Sequence, residues 1–445
     1  TALELLKTLT DTAARARQEL TLHLSLGTSL MATKGYGATE VEQTYTRAQE
    51  LCLQVGESLQ VAQVLYGRWS FNAVRGNHTA SLALGEQLLD LAQRQQDSTL
   101  FLAAHSILGG TLLWLGEFTL AQTHIEQAGA FYDPKPHRAL TYHLGQDPGL
   151  MALTYAAQTL WSRGYPAQAL ERGHHGLSLA QALSHPLSLV GALGQVTLVH
   201  LFRREGQEAL AQAEVLLTLA HEHGFAFWLG VGIRLQGWAL VERAALSGAR
   251  EQRKAGLVQL REGLAAMRAM GTEVFVPLFL GALAQGYAHG GQAEEGLRVI
   301  AEALAVVEKN EERWNEAELY RLKGQLTLQS QAPGPKSQVA ETLLGRVGTA
   351  HQNVRIAEAG TVGSAHPTRE VEVEGYFLKA IAIARKQQAK SLELRATLSL
   401  ARLWQQQGKH HEARNTLSEI YHWFTEGFDT ADLQEAKTLI EELSP

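Results

Sequence analysis

Glycines recur along this chain at a nearly constant interval, and that interval restricts the possible folds more than any other feature. They stand at Gly37, Gly76, Gly116, Gly164, Gly206, Gly248 and Gly291, with spacings of 39, 40, 48, 42, 42 and 43, and again at Gly408. Each separates two stretches of helical periodicity. A period of this size marks a stacked-repeat architecture, in which one unit cannot bury its apolar faces alone. The residue types agree with helix: Ala, Leu, Gln and Glu dominate, and there are only 10 prolines in 445 residues. With 45% apolar and 19% charged residues, the composition is that of a core-forming chain, not a disordered one.

Small residues recur at fixed offsets from the glycines. Seven positions before stand Gly109, Ala157, Ala284 and Ala401; five after stand Ala121, Ala169, Ala211, Gly296 and Ala413; twelve after stand Ala128, Gly176 and Ala303. Such side chains let two helix backbones approach closely. This is the pattern of the tetratricopeptide repeat, two antiparallel helices joined by a tight glycine turn. The best matches are Ser98 to Asp133 and Asp147 to Ser184. Periodicity supports it: Ala121, Ile125, Ala128 and Phe131 share one helix face, as do Leu297, Ile300, Ala301, Leu304 and Val307. Breakers lie between units, at Asp133-Pro134-Lys135-Pro136, Asp147-Pro148-Gly149, Ser184-His185-Pro186 and Pro277. The expected fold is all-α, a right-handed superhelical solenoid of about nine antiparallel helix pairs. A capping helix is expected near Thr430 to Leu443, with Asp432, Glu435, Lys437, Glu441 and Glu442 on its polar face.

The period fails once. Gly291 to Gly408 spans 117 residues, too many for two units. The excess maps to Gln331 to Glu370, which carries Pro333-Gly334-Pro335 and two similar strings ending at His351 and His366. The expected organisation is therefore repeats over residues 1–330, a disordered insertion in an inter-helix turn over 331–370, and the remaining repeats and cap over 371–445. Turns tolerate insertions because loop-closure entropy grows slowly with length; a functional loop is the alternative.

No catalytic, cofactor or metal residues emerge. The sequence has no G-x-x-x-x-G-K-[ST] phosphate loop, no G-x-G-x-x-G after a strand, no H-E-x-x-H and no G-x-S-x-G. Carboxylates such as Glu242 and Glu251 fit solvated helix faces, and no acid–base pair stands out. Adjacent histidines, His174-His175 and His410-His411, point about 100° apart on a helix and do not chelate one ion. His221 and His223 suit a helix C-terminus. Cys52 is the only cysteine, which excludes an intrachain disulfide, and its apolar neighbours make it a small core side chain. A net charge of −6 with no basic run argues against nucleic acid. No stretch was expected to be apolar enough for a membrane span, the longest running from Val274 to Ala284. The N-terminal residues lack the layout of a signal peptide, and the missing initial Met suggests a piece of a longer chain, so a cytoplasmic location is expected.

What remains is surface. In such a solenoid the first helix of each unit lines the concave side. The offsets place Trp114, Gln158, Trp161, His200, Arg203, Arg204, Gln285, His289, Arg321 and Gln325 there. Trp and Arg are enriched at binding hot spots, although Trp114 and Trp161 fit core between units equally well, and Arg203 and Arg204 fit solvated turns.

Longer strings carry a resemblance. They are Gly145-Gln-Asp-Pro-Gly149, Arg163-Gly-Tyr-Pro166, Leu183-Ser-His-Pro186, Phe225-Ala-Phe-Trp228, Gln236-Gly-Trp238, Arg313-Trp314, Glu316-Ala-Glu-Leu-Tyr-Arg-Leu-Lys-Gly324, Gln388-Ala-Lys-Ser-Leu-Glu-Leu-Arg395 and Trp423-Phe-Thr-Glu-Gly-Phe-Asp-Thr-Ala-Asp-Leu433. Together they resemble the C-terminal tetratricopeptide-repeat region of large bacterial signalling ATPases, including fusions to class III adenylate/guanylate cyclases. The resemblance covers nearly all of the chain except residues 331–370. It implies a regulatory sensor attached to an upstream nucleotide-binding domain, and its catalytic parts have no counterpart here. The expected function is thus a non-catalytic module binding a protein, a peptide or a small-molecule inducer in its groove. A free-standing scaffold that holds protein partners together is the alternative.

Overall fold

The structure is a computed structural model of the chain and describes residues 2–8, 12–137, 139–330 and 369–444. All regular structure among these residues is helical. Nine antiparallel pairs follow one another, here called units 1 to 9: Ala13–Lys34 with Thr39–Val55, Ser58–Val74 with His78–Gln95, Ser98–Leu115 with Phe118–Phe131, Pro148–Ser162 with Pro166–Leu183, Pro186–Phe202 with Gly206–Glu222, Ala226–Ser247 with Arg250–Ala269, Val276–His289 with Ala293–Asn310, Glu316–Gln329 with Arg369–Gln387, and Lys390–Gln406 with His410–Tyr421. The cap helix Ala431–Glu442 closes the series. The tetratricopeptide-like solenoid expected from the glycine period is the fold observed. Of the expected insertion, only Arg369 and Glu370 are described, and both already belong to the second helix of unit 8; the rest lies outside the described residues.

Local chemistry sets the helix ends. Asp97 caps unit 3 by accepting from the N–H groups of Thr99 and Leu100, and Asp147 caps unit 4 by accepting from Leu150, with Pro148 at the first helical position. Gly116 ends the first helix of unit 3 at φ 80°, a left-handed conformation that a Cβ disfavours. Two of the period-marking glycines do different work. The left-handed turn residue of unit 5 is Arg204 (φ 64°), two positions before Gly206, which is already helical. The true register therefore places Ala209 at the tight crossing, fully buried, and leaves Ala211 exposed. That corrects the expected role of Ala211. Gly37 is not left-handed; Gly35 is (φ 93°). A Cβ on Gly37 would stand 2.9 Å from the carbonyl oxygens of both Met270 and Gly271, so glycine here permits a backbone contact between distant units.

First and second helices differ in kind. Second helices bury one stripe: in Ala293–Asn310 the buried residues are Ala293, Gly296, Ile300, Ala303, Val307 and Asn310. The first helices of units 3, 4, 5 and 7 are buried nearly all round, as a helix apolar on every side must be, whereas that of unit 1 buries only the stripe Ala16, Leu20, Leu24, Gly27 and Met31. Ser98–Leu115 is apolar and long enough by composition to cross a membrane, contrary to the sequence expectation, but 72% of that window is buried in the fold. Its apolarity is used in packing.

The first helices are enclosed because the solenoid closes on itself. The turn of each of units 1 to 5 meets connections four and five units further on. Gly37 lies against Gly271, Thr79 bonds to Glu311, Thr119 to Gln388, and the Glu426 carboxylate accepts from the N–H groups of Ala167 and Gln168. Helix C-termini leave carbonyls without intrahelical partners, and this seam supplies several. The Val74 oxygen accepts from Glu273 and Val274 N–H at 2.8 and 3.0 Å, the Trp114 oxygen from Trp314 N–H at 3.2 Å, and the Trp161 oxygen from Ser391 Oγ at 2.5 Å. The Phe202 oxygen accepts from Arg395 Nη2 at 2.6 Å.

Candidate functional site

Along the middle of the closed superhelix runs a chain of aromatic rings. Tyr66 touches Trp69, then Trp114, Phe275, Trp314, Phe202, Trp238 and Phe279, with successive centroids 5.5 to 6.1 Å apart. These residues come from units 2, 3, 5, 6 and 7 and, for Phe275 and Trp314, from the connections before units 7 and 8. They occupy the space that an open solenoid would present as a concave groove.

The aromatic spine gives way to a polar cavity at Trp238, whose Nε1 donates to Glu242 Oε1 at 3.1 Å. The cavity, of about 160 Å³, is enclosed by units 5 to 9 and the cap helix. Four arginines line it, each held by carboxylates. Arg204 Nη1 reaches Asp432 Oδ1 at 3.3 Å and Glu435 Oε1 at 2.6 Å. Arg395 Nε donates to Asp432 Oδ2 at 2.7 Å, and Arg402 Nη2 to Glu435 Oε2 at 2.9 Å. Arg321 grips both oxygens of Glu318 at 2.8 and 2.7 Å and also donates to Gln325 at 3.0 Å.

The titratable groups respond to this setting. Burial works against ionisation of Asp432, but the charges of Arg395 and Arg204 outweigh it and hold the carboxyl below its ordinary value. Glu242 goes the other way: burial pushes it up, and Arg204 and the Trp238 N–H offset this only in part. Burial, then the charges of Arg204, Arg321 and Arg253, depress His289 to about 4. Its Nδ1 is buried without a protein hydrogen-bond partner.

The ten groove positions divide evenly. Arg204, Gln285, His289, Arg321 and Gln325 come together in the cavity wall. The other five are buried beside the seam or between units. Trp114 belongs to the aromatic spine; Gln158 bonds to Gln195; Trp161 stacks on Phe202 at 4.6 Å and beneath the Arg395 guanidinium. His200 and Arg203 each hold Glu205 at 2.7 Å, and Arg203 also reaches Asp429 at 2.9 Å. Repeat register did not identify Arg395 and Arg402, and it placed Asp432 and Glu435 on the outer face of the cap and Glu242 on a solvated face; all three acids instead line the cavity, because the following superhelical turn folds against it. A signal existed: Arg395 and Asp432 both lie in the strings that carry the family resemblance, and so do Tyr165, Trp314, Ser391 and Trp423 of the seam.

Other features offer less chemistry. Among the described residues no group of three His, Cys, Asp or Glu side chains is arranged to hold a metal. His105 and His124 approach Nδ1 to Nδ1 at 2.9 Å, with His105 depressed to about 4 by burial and then by His124. Burial pushes the Cys52 thiol up to about 11, the opposite of an activated thiolate. A larger recess of about 540 Å³ lies between units 3 and 4, lined by Ile125, Tyr132, Leu153, Arg172 and His175 among others.

No protein-family model matches the sequence, and no curated protein does. Solved structures align with the chain. A Rap protein complexed with Competence and Sporulation Factor aligns with TM-score 0.56 and 10% identity, over 96% of this chain and 99% of that one. Aspartyl phosphate phosphatase F from Bacillus subtilis gives TM-score 0.40 and 9% identity over 93% and 94% of the two chains. A signal-transduction ATPase with a tetratricopeptide-repeat sensor from Pyrococcus horikoshii gives TM-score 0.37 and 12% identity, covering 90% of this chain and 55% of that one. The chain is therefore similar in fold to tetratricopeptide-like helical solenoids.

Proposed function

We propose that this chain is a non-catalytic binding module, the regulatory repeat region of a bacterial signalling ATPase or cyclase, and that its binding site is the polar cavity between units 5 and 9. In this reading residues 331–368 form an insertion in the turn of unit 8, since Arg369 and Glu370 are already helical. The observation that carries the proposal is the convergence of four arginines and two amide side chains, Gln285 and Gln325, on one solvent-connected cavity at the end of the aromatic spine. The strings resembling signalling ATPases support the regulatory context. The similar fold of a Rap protein, itself solved in complex with Competence and Sporulation Factor, supports a binding role. A site bridged by two turns of a superhelix also suits a sensor, because a ligand binding one arrangement better than the other shifts the balance between them.

A pull-down from bacterial lysate tests the reading, with native mass spectrometry for small ligands. The bait is the wild-type chain, compared with Arg321→Glu, which reverses a charge in the cavity wall. A partner or ligand held by the wild type and lost by the variant supports the cavity. Equal retention moves the site elsewhere. The recess between units 3 and 4 favours the second reading, a scaffold. That reading predicts two proteins captured together, with one lost on Leu153→Asp and neither on Arg321→Glu.

A further inference from the structure

We propose that the arginine cavity is a carboxylate-binding site, and that Glu435 of the cap helix fills it in the unliganded chain. This rests on the reading of the cavity as the binding site and adds the chemistry of what it takes. The Glu435 carboxylate bridges two guanidiniums from separate elements, Arg204 of the unit 5 turn and Arg402 of unit 9, at 2.6 and 2.9 Å. Such charge-assisted pairs are the common means by which arginine recognises a carboxylate. The position is thus already shaped for a carboxylate, and the occupant is supplied by the chain itself.

Glu435 is the exchangeable member of the network. Asp432, one turn earlier on the same helix, has a side chain only 14% exposed and is gripped by Arg204 and Arg395. Glu435 is 33% exposed and Arg402 54%, so they form the mouth of the cavity. Ion pairs at that exposure contribute little net stability, and Glu435 exchanges its partners for water at small cost. When it swings out, Arg204 and Arg402 are left facing the cavity. The carboxyls that remain, Asp432, Glu318 and Glu242, number three against the four arginines, so the vacated site retains an excess of positive charge. An incoming carboxylate restores the balance. A volume of about 160 Å³ is well below the ~300 Å³ at which drug-sized pockets begin. The ligand is therefore a small carboxylate, or the carboxylate end of a peptide.

Calorimetric titration of the full chain decides this, using succinate, succinamide, and the peptide Ala-Ala-Ala with a free or an amidated C-terminus. Succinate or the free-acid peptide is expected to bind saturably, with succinamide silent. Glu435→Gln keeps the size of the side chain but removes the competing charge, and should tighten binding at least tenfold. Arg402→Gln, half-exposed and outside the packed core, should weaken it at least tenfold. Succinate binding identifies a small-molecule ligand, and binding of the free-acid peptide alone identifies a polypeptide source. The proposal is overturned if neither probe binds the wild type or folded Glu435→Gln, or if the tightening persists in Glu435→Gln/Arg402→Gln. Should Arg321→Glu still abolish partner capture in that case, the cavity remains the binding site and only the carboxylate chemistry fails.

Discussion

The aromatic spine and the arginine cavity are built from equivalent positions. Both arise where inner faces of first helices meet the next superhelical turn. Along the spine units 2, 3, 5, 6 and 7 contribute rings, and the seam is held by apolar burial together with backbone hydrogen bonds. Around the cavity the turn of unit 5 and the first helices of units 8 and 9 contribute guanidiniums, and the cap helix supplies Asp432 and Glu435. The difference matters because the two kinds of contact exchange with water on different terms. Rings removed from water gain roughly 25 cal/mol per Å² buried and have no competing partner outside. A carboxylate on an arginine trades solvent for a charge partner, with a small net gain where the pair is part-exposed. One end of the seam is thus a permanent joint, and the other is a contact that a ligand can enter.

The sharpest way to break this comparison is to remove a ring. Trp314 is 3% exposed, touches Phe202 and Phe275, donates Nε1 to Glu312 at 3.1 Å, and bonds through its N–H to the Trp114 carbonyl. Trp314→Ala should lower the unfolding free energy by about 3–5 kcal/mol, the range for large aromatic truncations in cores. Urea unfolding followed by circular dichroism measures it. A loss below ~1 kcal/mol would mean that the two turns are not joined in solution.

Arg234 sharpens the contrast from inside the spine. It is fully buried, with its guanidinium 4.1 Å from the centre of the Phe279 ring, and none of its three nitrogens has a protein acceptor. Burial depresses its pKa to about 9 despite the nearby charge of Glu312. Replacing a buried charge of this kind by an apolar side chain of similar length is often neutral or stabilising by about 1–4 kcal/mol. Arg234→Met is expected to raise the urea midpoint. A fall of more than ~2 kcal/mol, on the scale of a lost charged hydrogen bond, would show that the spine tolerates this cation because something holds it.

At the cavity the expected effects are smaller. A double-mutant cycle of Arg395→Gln and Asp432→Asn should give a coupling of about 1–3 kcal/mol, since both side chains are only 14% exposed and meet at 2.7 Å. The same cycle on Arg298 and Glu295, an exposed i,i+3 pair, should give no more than about 0.5 kcal/mol. Equal couplings would mean that the cavity pairs are as solvated as the surface ones.

The sequence disclosed the repeat because its signals are local. Turn glycines such as Gly116, caps such as Asp97 and Asp147, and buried small residues such as Ala121 all act within one unit, so a period near 40 reports them. It misread unit 5 because the turn residue there is Arg204, and Gly206 two positions later mimics the marker. The seam is different. Trp161 and Arg395 lie far apart in the chain, and nothing in a repeat register states how many units complete a superhelical turn. About a third of the cavity wall was therefore legible, namely Arg204 from the turn of unit 5 and Gln285, His289, Arg321 and Gln325 from the first helices of units 7 and 8, while the residues from units 6 and 9 and the cap were not. The strings that carry the family resemblance did include Arg395 and Asp432, but as text without geometry.

The smallest expected effect links protonation to the cavity. His289 has a folded pKa of about 4 against an ordinary 6.5, so between those values the unfolded chain binds a proton that the folded chain refuses. Its contribution to stability is complete above pH 6.5 and is lost as pH falls towards 4, at up to about 1.4 kcal/mol per pH unit. His105 in unit 3, also depressed to about 4, adds a parallel loss. His289→Gln and His105→Gln should each flatten the acid limb of a stability-versus-pH curve measured by urea unfolding. They part company when a carboxylate is added. After burial, the charges of Arg204 and Arg321 do most to depress His289, and an anion seated among those arginines offsets them. Saturating succinate should therefore move the His289 resonance, followed by NMR, towards a higher pKa. His105 is depressed by burial and by His124, and it should not move. A shift of both histidines would indicate a general effect on the solenoid, and a shift of neither would separate the anion from the cavity.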